Sequence, residues 1–96
     1  MGKIQQINMP NGDMYAGEIE YENFNGQGIY TFASGAKYEG QFRENMYHGK
    51  GVITYPNGEK DEANFKYGKA QGVGYHTWPD GERAEVEFVD DVDDLA

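Results

Sequence analysis

A pair of glycines beside a turn lets a backbone approach a phosphate, and residues 25–35, NGQGIYTFASG, have that look. The chain then writes the same stretch twice more, as HGKGVITYPNG at 48–58 and QGVGYHTWPDG at 71–81. A nucleotide loop is written once and opens a helix; a stretch written three times with no helical pattern after it is architecture. The other candidates for chemistry fare no better. His48 and His76 lie 28 residues apart, outside any metal-ligand spacing, so both are expected to be structural. Ser34 is the only serine and shares its place in the repeat with Asn57 and Asp80, which makes it a turn former rather than a nucleophile. The pairs Glu18/Glu20 and Glu85/Glu87 alternate as outward charges on strands do. Asp90-Asp91-Val92-Asp93-Asp94 lacks the spaced ligands, central glycine and closing glutamate of a calcium loop. No catalytic residue, cofactor site or metal site is expected.

Composition narrows the class. Ninety-six residues make one small domain, and the absence of cysteine excludes a disulfide framework or a thiolate zinc site. No apolar run approaches the roughly 18 residues of a membrane span. The first ten residues, MGKIQQINMP, have no apolar signal core, so a soluble, cytoplasmic protein is the expectation. The net charge of −9 is uneven: residues 80–96 hold eight acids and only Arg83. There is no basic patch for a phosphate backbone or an anionic bilayer.

The elements follow from the period. Gly12, Gly35, Gly58 and Gly81 are spaced by 23, as are Gly26, Gly49 and Gly72, and Gly28, Gly51 and Gly74. With Gly17 and Gly40, 12 of the 14 glycines fall on one lattice. Aromatic slots obey it too: Phe32, Tyr55 and Trp78; Tyr15 and Tyr38; Ile19, Phe42, Phe65 and Phe88. Alternation over Met14–Tyr21 predicts a strand, Glu22–Asn25 a polar loop, and Gly28–Phe32 a second strand. Ala33-Ser34-Gly35, Pro56-Asn57-Gly58 and Pro79-Asp80-Gly81 predict turns. Gly26, Gly28, Tyr30 and Phe32 share a parity and hence a face, and aromatic rings are expected to cover the bare Gly-x-Gly backbone.

These features resemble the MORN repeat. The match is carried by Tyr38-x-Gly40-x-Phe42, a short polar loop, Gly49-x-Gly51, Tyr55 and a turn, over about residues 7–89. The resemblance implies an all-β fold: a single-layer, elongated, twisted antiparallel sheet of consecutive hairpins. It also implies a module that scaffolds other proteins, often at cytoskeletal structures, cilia or membrane junctions. Seven or eight strands in chain order, at about 4.8 Å each, span roughly 35 Å. The expected division is a domain over 1–89, with a half unit at 1–11, full units at 12–34, 35–57 and 58–80, a partial unit at 81–89, and an acidic tail at 90–96. The pattern degrades toward the end: Asp61 and Ala63, then Ala84 and Val86, stand where Tyr-x-Gly stood earlier.

Surface is the remaining asset. Aromatic residues are 15% of the chain, and rows of half-exposed rings are what protein interfaces use as anchors. Tyr15, Tyr30, Phe32, Tyr38, Tyr55 and Trp78 are the expected partner-binding residues, strongest in the first two units, where Tyr15 and Tyr38 keep the full pattern. The expected function is a non-catalytic interaction scaffold binding one or more proteins, with a cytoskeletal, ciliary or axonemal assembly as its setting. The alternative is a peripheral membrane-tethering module, the lipid-binding role proposed for the family, against which the net charge of −9 counts. Neither nucleic acid nor a small-molecule substrate is expected.

Overall fold

A computed structural model describes residues 3–89. Eight strands follow one another: β1 (Lys3–Asn8), β2 (Met14–Glu20), β3 (Asn23–Thr31), β4 (Lys37–Arg43), β5 (Met46–Thr54), β6 (Lys60–Lys66), β7 (Lys69–Thr77) and β8 (Arg83–Phe88). They form one antiparallel sheet in the order β1 to β8, each strand bonded to its chain neighbours. The longest dimension is 36 Å, and the described residues contain no helix, as the period of two predicts. The acidic segment at 90–96 lies outside the described residues.

Two kinds of turn alternate. The longer one occupies 9–13, 32–36, 55–59 and 78–82, and its bonds repeat in each unit. Gly12, Gly35, Gly58 and Gly81 each donate an N–H to the carbonyl three residues back, at 2.9–3.0 Å. Asn11, Ser34, Asn57 and Asp80 accept with a side-chain oxygen from the N–H two residues on. The polar residue before each glycine therefore fixes the turn, as its chemistry predicts. The shorter turn is Tyr21-Glu22, Glu44-Asn45 and Tyr67-Gly68, with positive φ at both positions, the backbone of a two-residue hairpin. The predicted loop over Glu22–Asn25 is thus nearly all strand, because β3 begins at Asn23. Polar residues there mislead: Asn23 and Asn25 make side-chain bonds to Asn45 and to the Glu44 N–H in the next short turn.

The core lies on one face and has a repeating geometry. Tyr15 stacks on Phe24 at 3.8 Å and meets Phe42 edge-on at 5.2 Å. One unit later Tyr38 stacks on Tyr47 at 3.9 Å and meets Phe65 edge-on at 5.3 Å. Each such ring pair contributes about 0.5–1.5 kcal/mol beyond the area it buries. The tyrosine hydroxyls are engaged as well: Tyr15 donates to the Glu18 carbonyl at 2.7 Å and Tyr38 to the Gln41 carbonyl at 2.8 Å. Both acceptors sit where the strand pairing slips by two residues, so the phenol satisfies a carbonyl at the bulge.

The glycines divide their labour in a way the spacing alone does not reveal. A β-carbon on Gly28 would run into the Tyr15 ring, and one on Gly51 into the Tyr38 ring. Rings therefore do cover the second glycine of the first two Gly-x-Gly copies, whereas a β-carbon on Gly74 would meet the Glu62 carbonyl first and the Phe88 ring after it. The first glycine serves the backbone instead. Gly26 and Gly49 have φ of 96° and 69°, a left-handed conformation that favours glycine. Beside Gly26 the Glu18 carboxylate accepts from the Gln27 N–H at 2.9 Å.

Candidate functional site

The aromatic face opens into a groove of about 460 Å³ lined by Met9, Phe24, Tyr30, Phe32, Phe42, Asn45 and Tyr47. No lining side chain carries a formal charge. Tyr30 and Phe32 lean together with ring centres 4.9 Å apart. Tyr30 is held by Asp13, whose Oδ2 accepts from the phenol at 2.7 Å while Oδ1 accepts from the Ala33 N–H at 2.8 Å. That bond to Asp13 pushes the Tyr30 phenol up to about 12 and holds the Asp13 carboxyl below its ordinary value. Asn45 braces the groove wall by accepting from the Phe24 N–H at 2.8 Å and donating to Asn23 at 2.8 Å.

The six expected contact residues separate into three pairs. Tyr30 and Phe32 line the groove. Tyr15 and Tyr38 are fully buried beneath it, with 0% exposure, so their expected role as contact edges is corrected to that of packing posts. The physical reason is the bare glycine opposite each ring, which lets the phenol lie flat on the sheet instead of standing up from it. Burial pushes both phenols up to about 12. Tyr55 and Trp78 remain 37% and 41% exposed, but at the other end of the face, next to His76.

Phe24 and Tyr47, the groove's central walls, escape a sequence reading that takes 22–25 for loop. The signal is present all the same, since the two are 23 residues apart and share a slot. The cluster around His76 is hidden for a different reason. His76, Asp61 and Glu59 are 15 and 17 residues apart, and cross-strand pairing brings them together. The lattice carries the clue: the slots of Asp61 and His76 are those of Tyr38 and Ile53, which face each other on β4 and β5. Among the described residues no group of three or more His, Asp or Glu side chains is disposed to hold a metal ion.

The opposite face is polar and mixed in sign. Glu39, Val52, Glu62 and Tyr75 stand side by side on β4 to β7. Arg83 lies 4.2 Å over the Tyr75 ring and 3.5 Å from Glu62. Both charged partners there are well exposed, so this pair adds little to stability.

No curated protein matches the chain well enough to count as a relative. The MORN repeat family matches three times, at residues 15–37, 38–60 and 62–83. The third match starts just after Asp61, the residue that replaces the slot's tyrosine. MORN repeats are interaction modules rather than catalytic domains. With well over half its length matched, and with eight strands in consecutive hairpins, the chain belongs to the MORN repeat family.

Proposed function

We propose that this protein is a small adaptor whose aromatic groove receives an apolar segment of a partner protein, flanked on that partner by basic residues. The observation that carries the reading is the uncharged groove of Met9, Phe24, Tyr30, Phe32, Phe42, Asn45 and Tyr47 on a chain of net charge −9. Rings already fixed by stacking lose little freedom when a partner covers them, so they suit the role of anchors. The net negative charge of the chain, most of it carried by residues 80–96, favours basic flanks and speeds encounter at low salt. It disfavours an anionic membrane as the occupant. The setting we assign is a cytoskeletal assembly in the cytoplasm, of the ciliary or axonemal kind.

A peptide library displayed against the full chain tests this. The expected outcome is enrichment of apolar sequences flanked by Lys or Arg. Phe32→Ala should weaken the selected peptides by about tenfold, the scale of one anchor residue, while leaving thermal unfolding close to the parent's. Selection of acidic peptides would overturn the reading, as would binding indifferent to Phe32. Sedimentation with anionic vesicles in place of peptide capture would establish the membrane-tethering alternative. A fluorescently tagged chain that stays diffuse in ciliated cells would remove the assembly assignment alone.

A further inference from the structure

The far end of the aromatic face holds ionisable groups where earlier units hold rings. His76 occupies the slot of Tyr30 and Ile53, and Asp61 the slot of Tyr15 and Tyr38. The two stand opposite each other on β7 and β6. His76 Nδ1 lies 2.5 Å from Asp61 Oδ1, and Nε2 lies 2.9 Å from Glu59 Oε1. Tyr55 adds a hydroxyl that donates to Asp61 Oδ2 at 2.7 Å, and the Trp78 ring meets the imidazole edge-on at 4.8 Å. Across on β8 the facing residue is Ala84, which is uncharged. The cations Lys60 and Arg83 occupy strand positions of the opposite parity, and Arg83 is turned to Glu62 and Tyr75.

We propose that His76, Asp61 and Glu59 form a proton-operated latch that ties β7 to β6 and to the turn before β6. An imidazolium has two N–H donors and can serve both carboxylates at once. A neutral imidazole has one N–H, and its other nitrogen presents a lone pair to a carboxylate oxygen. One of the two contacts must then open. With Asp61 released the Tyr55 hydroxyl loses its fixed acceptor, and with Glu59 released the turn at 55–59 loses its tie to β7. The second unit has no such device, because Ile53 and Ala36 fill the slots of His76 and Glu59. In the first unit those slots hold Tyr30 and Asp13, whose bond keeps the phenol up at about 12 and the carboxyl below its ordinary value, so that pair stays closed near neutral pH.

The direction follows from the charges. The hydrogen bond to Asp61, and after it the attraction of Asp61 and Glu59, hold the imidazole above its ordinary 6.5 against the opposing effect of burial. A group raised in the folded state stabilises it fully below the unfolded value, and that contribution fades as pH climbs through the folded value. The latch is closed in acid and opens toward alkaline pH.

Nuclear magnetic resonance on the full chain reads each step. The His76 ring should titrate with a midpoint above 6.5. Between about pH 6 and about pH 9, amide-exchange protection corrected for intrinsic rate should fall severalfold in β6 to β8 and hold in β2 to β4. His76→Phe, which places a ring where Tyr30 has one, should abolish that pH dependence. Asp61→Asn, which keeps an acceptor but removes the charge, should move the His76 midpoint down. A midpoint at or below 6.5 would overturn the proposal, as would equal loss of protection in β2 to β4. If His76→Phe failed to fold, an unmoved midpoint in Asp61→Asn would overturn it alone.

Discussion

Gly51 and Tyr38 illustrate how one residue's smallness is another's binding site. The phenol lies where a side chain at 51 would be, so Gly51→Val must displace either the ring or the backbone beneath it. Urea unfolding should report a loss of about 1–3 kcal/mol, the usual cost of overpacking. A midpoint unchanged from the parent's would refute the ring-over-glycine packing. Tyr38→Ala should be at least as harmful, at about 3–5 kcal/mol, because it removes a fully buried ring and orphans the Gln41 carbonyl. That ranking differs from the one the sequence suggests. Tyr15 and Tyr38 look like the best surface because their pattern is the most regular, yet regularity here marks the residues the fold consumes. Which ring ends up covered depends on its hydroxyl finding the bulge carbonyl, a contact between residues three apart that periodicity does not report.

At the scale of the hairpin, the long turns are readable because their chemistry is local. A polar side chain before a glycine accepts from the backbone two residues on, and all four copies do so. The short turns are not readable, because Tyr21-Glu22 and Glu44-Asn45 lack the glycine that such turns favour. Only the third copy, Tyr67-Gly68, has it. Glu22, at φ 66°, is a non-glycine residue held in a left-handed conformation that costs L-residues about 1–2 kcal/mol. Glu22→Gly should therefore stabilise the chain by about 1 kcal/mol, seen as a raised thermal midpoint. A lowered midpoint would mean that Glu22 has a favourable contact which outweighs its backbone strain. Strand boundaries are misread in the same places for the same reason: with no glycine to announce the turn, the asparagines around it look like loop.

Across the whole molecule, strand order is legible because a repeat whose neighbours are alike can pair with little but its neighbours. The groove is only half legible, since its walls come from β3, β4 and β5 of two successive units, from Phe32 and Asn45 in the turns after β3 and β4, and from Met9 ahead of them. The consecutive order has a mechanical corollary. Because strands are joined side by side from β1 to β8, tension applied between Lys3 and Phe88 runs across the strands, along their hydrogen bonds. Bonds loaded that way break rung by rung, as a zipper opens, instead of resisting together in shear. The protein should then behave as a soft spring that releases a hairpin per step and rewinds when slack, well suited to a joint that must give under load. Drawn out in an optical trap, it should yield in several small steps at low force; a single high-force rupture would rule the zipper out.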